Sequence, residues 1–119
     1  MNVVIIGASD KEDRYSNIAF RRLKEKGHNV IPVHKIIKQI SGIPVRSELS
    51  DIKEDVDTVT LYVNKDISSS MADDILKLKP KRIIFNPGAE NYDLRDKAEA
   101  LGIETLFACT IVMVTTGKF

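Results

Sequence analysis

With 119 residues, 43% of them apolar, the chain is long enough to bury one hydrophobic core and reads as one domain. Eighteen lysines and arginines against 17 acids leave a net charge of +1, which removes the electrostatic case for a nucleic-acid partner. No apolar run approaches the ~18 residues of a membrane span, no secretory leader is expected, and the one cysteine, Cys109, makes no internal disulfide, which together predict a cytoplasmic protein with no membrane contact.

The first predicted element is a buried strand at residues 3–6 that runs into Gly7-Ala8-Ser9-Asp10. A strand, a glycine turn and a helix start form an anion site, because free N–H groups and the positive helix end converge there. A dinucleotide fingerprint needs three glycines, and here Ser9 and Glu12 stand at the second and third positions. A helix is predicted over 16–26, with Ser16 as N-cap and Gly27 as its stop. Strands follow at 30–33, 58–63, 82–85 and 104–107, mostly short apolar runs suited to a sheet covered on both faces. Helices are predicted at 68–78 and 92–101, with a weak helix or turn at 47–53. Alternation of this kind predicts an α/β fold with a doubly wound parallel sheet of about five strands between two helical layers. Ligands in such a fold bind at the carboxyl ends of the strands.

Those ends carry the polar residues. The second strand ends in Pro32-Val33-His34-Lys35, where an NAD domain places an acid; a cation there suits a phosphorylated ribose, and a solvated loop is the alternative. Arg14 either pairs with a pyrophosphate or with a neighbouring acid of the charged segment 10–13. Ser16 and Asn17 read as first-turn residues whose N–H groups also meet phosphate. Val63 and Asn64 end the third strand. Asn86-Pro87-Gly88 precedes the helix at 92–101, with Glu90 or Asn91 as a candidate cap; Gly88 permits a positive φ. No metal-ligand spacing, nucleophile elbow or lysine-bearing phosphate loop is present. Cys109 reads as an idle thiol, with a mixed disulfide to a ligand thiol as the minor alternative. The apolar stretch 111–114 is expected to complete the core. The stretch 36–40 is unusually apolar for a loop and is expected to bury on the sheet or to cover a ligand.

The segments VVIIGASDKEDRYSNIAFRRLKEKGHNVIPV, VDTVTLYVN, KPKRIIFNPGAEN and GIETLFACTIVMVTTGKF resemble the stand-alone coenzyme A-binding proteins, relatives of the nucleotide-binding domain of the succinyl-CoA synthetase alpha subunit. The resemblance implies a Rossmann-like fold that holds coenzyme A or a short acyl-CoA. It places Gly7, Ala8 and Ser9 at the phosphates, assisted by Arg14, Ser16 and Asn17. It places Pro32, Val33, His34 and Lys35 by the adenosine and its 3′-phosphate, and Val63 and Asn64 by the adenine or ribose. Asn86, Pro87 and Gly88 fall along the pantetheine arm. The family usually reads V-N-P after the second strand, where this chain has Val33-His34-Lys35. The synthetase reaction has no counterpart in so short a chain. The expectation is coenzyme A binding without catalysis, with a CoA-linked regulatory role as an extension; a minimal NADP-dependent reductase or an acyl-CoA transferase is the alternative.

Overall fold

The computed structural model describes all 119 residues. Five parallel strands form one sheet in the order β2-β1-β5-β6-β7: β1 Asn2–Ile6, β2 Asn29–Val33, β5 Thr58–Leu61, β6 Arg82–Phe85 and β7 Glu104–Phe107. Side chains alternate between its faces, as the pleat requires. Val3 and Ile5 pack with Phe20 and Leu23 of α1 (Tyr15–Glu25) and Val114 of α5 (Thr110–Thr115). Val4 and Ile6 share the other core with Ile75 of α3 (Ala72–Lys77) and with Leu94 and Ala98 of α4 (Tyr92–Ala100). Each such fully buried aliphatic or aromatic side chain contributes roughly 1.5–3 kcal/mol relative to exposure. The fold is therefore Rossmann-like α/β, a parallel sheet between helical layers. No helix is long and apolar enough to cross a membrane.

Several boundaries differ from the sequence reading, each for a local reason. Helix α1 begins at Tyr15, with Arg14 in the cap position and Ser16 already inside the first turn, so Ser16 is not the N-cap. Its end is as expected: Gly27 has φ +87°, its N–H donates to the Lys24 carbonyl and the His28 N–H reaches back to Leu23, a Schellman stop. The helix expected at 68–78 is two short helices, α2 (Lys65–Ser70) and α3, broken at Met71. It starts early because the Asn64 side chain accepts the Ile67 N–H at 3.0 Å. It breaks after three serines, where the Ser70 hydroxyl donates to the Ile67 carbonyl at 2.6 Å and competes with the helix ladder. The third sheet strand stops at Leu61 rather than 63, because Val63 and Asn64 turn into α2.

A hairpin, β3 (Gln39–Ile40) and β4 (Ile43–Pro44), stands where the apolar loop was expected. Ser41 and Gly42 both have positive φ, 49° and 79°, the mark of a two-residue type I′ turn. Of the stretch 36–40 only Ile40 is buried on the sheet, whereas Ile36 is 78% exposed. After β4 the chain runs along the β2 edge: Arg46 donates its N–H to the Pro32 carbonyl at 2.9 Å and accepts from His34 at 3.1 Å. Residues 49–51 form a single 3-10 turn. The stretch 111–114 lies in helix α5, with Val114 in the core and Val112 facing outward.

Candidate ligand site at the strand ends

From β1 the chain moves to β2 on one side and later to β5 on the other, so the strand order reverses between β1 and β5. A crevice opens at the carboxyl end of such a switch point. Gly7 lies there with φ +88°, and a Cβ on it would stand 2.9 Å from the Tyr62 carbonyl oxygen and 2.9 Å from Val63 Cγ1. Only glycine fits both the backbone and the space.

The loop after Gly7 is braced from below. Ala8 donates its N–H to the Val33 carbonyl at 3.2 Å, and the Ser9 hydroxyl oxygen accepts the Lys11 N–H at 3.1 Å. The buried Asn17 carboxamide donates to the Ser9 carbonyl at 2.8 Å and accepts from Arg21 Nε at 2.8 Å. Arg21 in turn donates to the Glu12 carbonyl. The N–H groups of Ser9, Asp10, Tyr15 and Ser16 donate to nothing in the protein. Helix α1 has no side-chain cap and no acid in its first turn. By contrast α2 and α4 are capped by Asn64 and Asn91, with Asp66 and Asp93 in their first turns. Arg14 at the positive end of α1 is unfavourable on its own and forms no ion pair; the chain's ion pairs are Arg46–Glu54 and Arg95–Asp96. An anion held between Arg14 and the helix end relieves that arrangement.

Two adjoining cavities of about 580 Å³ each open over this loop. The first is lined by Gly7, Ala8, Ser9, Arg14, Ser16, His34, Val63, Asn64, Pro87 and Gly88 of the expected residues, and also by Lys11, Tyr15, Ile37, Tyr62 and Ala89. The second takes Gly7, Val33, His34, Lys35 and Val63, together with Ile36, Leu49, Ile67 and Met71. Gly7, His34 and Val63 belong to both. The first cavity carries Lys11 and Arg14 beside Asp10; the second is a mainly apolar slot with Glu48 and Asp74 at its wall.

Three of the expected residues lie outside both cavities. Asn17 is the brace just described. Pro32 sits within β2, its missing N–H costing nothing at the sheet edge while its carbonyl holds Arg46. Asn86 is buried and fully engaged. Its Nδ2 donates to Thr60 Oγ1 at 2.6 Å and to the Leu61 carbonyl at 2.9 Å, and its Oδ1 accepts the Thr110 N–H at 2.9 Å. Asn86 thus joins β5, β6 and α5, and it aims the Pro87-Gly88 turn without touching the cavity. The Thr60 and Thr110 hydroxyls bond each other at 2.7 Å beneath the Tyr62 phenol. Burial pushes that phenol well above the ordinary tyrosine range. Cys109 is half-buried and lines neither cavity. The residues of the second cavity that sequence reasoning missed come from the turn after β2 (Ile36), the 3-10 turn and the α2–α3 segment (Ile67, Met71 and Asp74); for the last group, Asn64 as a cap with Ile67 and Met71 one helical turn apart is the signal.

A β1–loop–α1 crevice over a doubly wound sheet defines the class, a Rossmann-like α/β domain. Residues 1–115 match the family described as the CoA binding domain, and the chain belongs to that family. A solved structure described as an uncharacterized protein is 43% identical, with a TM-score of 0.94, covering 99% of this chain and 97% of that one. A hypothetical protein from Pyrococcus horikoshii OT3 superposes with a TM-score of 0.89 at 24% identity, over 96% of this chain and 81% of the other. A dinucleotide-forming acetyl-coenzyme A synthetase from Ca. Korarchaeum cryptofilum shares the fold over 90% of this chain and 25% of its own, with 20% identity and a TM-score of 0.75. The uncharacterized protein YneT of Bacillus subtilis is 25% identical over 75 residues, and the match spans 56% of its length.

Proposed function

We propose that the protein binds coenzyme A, free or carrying a short acyl group, across the carboxyl ends of its strands and without turning it over. The observation that carries this reading is the pairing of an anion cradle with an apolar slot, joined at Gly7, His34 and Val63. The diphosphate occupies the first cavity, against the free N–H groups at the start of α1 and the side chains of Lys11 and Arg14. Adenine occupies the second cavity between Ile36, Leu49, Val63 and Met71, and Glu48 or Asp74 accepts its amino group. The ribose and its 3′-phosphate bridge the two beside His34 and Lys35. The pantetheine arm leaves along Pro87 and Gly88. Membership of the CoA binding domain family supports the same ligand.

Titration calorimetry against CoA, dephospho-CoA, NADP and NAD tests this directly. The expected order is CoA first, with a clear loss on removing the 3′-phosphate and no heat with NAD. A silent titration with CoA, or equal affinity for NAD, sinks the reading. Acetyl-CoA incubated with the protein should be recovered intact; acyl transfer or hydride transfer would replace binding by catalysis.

A further inference from the structure

His34 occupies the junction of the two cavities, and its ring is not free to turn. Its Nδ1 accepts the backbone N–H of Ile36 at 3.0 Å and that of Ile37 at 3.1 Å. A ring nitrogen that accepts two N–H groups carries no proton, so the ring hydrogen sits on Nε2. Nε2 has no partner in the protein. The turn held in this way sends its two apolar residues to opposite sides: Ile36 lines the second cavity and Ile37 the first. The turn between the cavities is therefore held on one imidazole whose Nε2 is left unpaired.

We propose that His34 is the specificity-determining residue of this site, a tautomer-locked donor whose Nε2–H reads the phosphate on the ribose while its Nδ1 holds the turn on which the ligand bends. The proposal rests on the coenzyme A reading above. It assigns one residue two separable roles. An asparagine side chain performs the first, since its carboxamide oxygen also caps a turn two residues on, but it does not extend a donor as far as Nε2.

The test combines nitrogen NMR of the wild-type imidazole with calorimetry of wild type, His34→Asn and His34→Phe against CoA and dephospho-CoA. In wild type, Nδ1 should be bare and Nε2 protonated, and the Nε2–H signal should move on adding CoA but not on adding dephospho-CoA. His34→Asn should keep dephospho-CoA affinity and lose about tenfold or more toward CoA, the scale of one hydrogen bond to a charged group. His34→Phe, which removes the turn's acceptor as well, should weaken both ligands. A proton on Nδ1, or a His34→Asn protein that keeps the wild-type ratio of CoA to dephospho-CoA affinity, overturns this inference and leaves the coenzyme A reading standing. A wild-type protein that binds neither ligand overturns both.

Discussion

Two glycines at the strand ends have the same backbone problem and different neighbours. Gly7 and Gly88 both hold positive φ, +88° and +92°, but a Cβ at Gly88 meets nothing within 4 Å, while one at Gly7 meets the Tyr62 carbonyl at 2.9 Å. Gly88→Ala should therefore cost about 1 kcal/mol, the left-handed penalty alone. Gly7→Ala should cost more, about 2–4 kcal/mol, because β1 and β5 must part to admit the methyl group. Urea denaturation of the two variants checks the difference, and equal losses would show that the β1–β5 gap is loose. The need for glycine at position 7 was legible in the sequence, where an apolar run meets Gly7. The roles of Asn17 and Asn86 were not. The resemblance placed Asn17 at the phosphates and Asn86 along the pantetheine arm. The partners that claim them, the Ser9 carbonyl and the Thr60 and Thr110 groups, lie at distances in sequence that no local pattern reports.

At the scale of elements, the start of α1 and the segment after β4 do opposite things. The cap position of α1 has the extended backbone of an N-cap, φ −79° and ψ 141°, and the Arg14 carbonyl accepts the Asn17 and Ile18 N–H groups, but its guanidinium side chain can accept nothing from the first turn. Arg14→Ser should supply that acceptor and stabilise the free protein by about 0.5–1 kcal/mol, while CoA affinity falls as the guanidinium is lost. Thermal melts with and without CoA read both effects, and a variant that gains stability at no cost in affinity would remove Arg14 from the site. The segment after β4 is instead satisfied. Arg46 pairs with Glu54 at 2.7 Å, and the hydrogen bond from its guanidinium holds the Glu54 carboxyl down at about 2. A depressed folded-state value means the pair's contribution is present above the ordinary glutamate range and lost as pH falls toward 2. The stability gap between wild type and Glu54→Gln should be constant from pH 7 to about 5 and close below that. Denaturant midpoints across this range check it, and a gap that persists at pH 2.5 would mean the pair is not the source. The side chains are partly exposed, so salt should narrow the same gap.

For the molecule as a whole, β1, β2 and β6 were legible because a strand buried on both faces must be a mostly apolar run between turn residues, whereas β5 alternates Thr with Val and Leu and the edge strand β7 is exposed at both ends. The parts that were not legible are those set by tertiary packing. The hairpin at 39–44 is signalled only by Ser41-Gly42, helix α5 is six residues long, and the second cavity is assembled from the 3-10 turn, α2 and the turn after β2. One buried side chain, Asn86, ties α5 to the sheet centre. Asn86→Leu should remove three hydrogen bonds across β5, β6 and α5 and leave the buried Thr110 N–H without its acceptor, at about 3 kcal/mol. It should also loosen Pro87-Gly88, so hydrogen exchange at the start of α4 should quicken. Unchanged exchange there would confine Asn86 to a packing role.

The bare start of α1 has a consequence for how long the protein survives. A helix that begins without a cap and with a like charge at its positive end leaves the unliganded chain short of the stability its fold allows. On the proposed reading the missing interactions arrive with the ligand, which at a hundred times its Kd adds about 2.7 kcal/mol to the folded state. Where proteolysis follows the population of open molecules, the abundance of this protein then tracks the supply of coenzyme A, and its half-life under a protease becomes a gauge of how much cofactor is present.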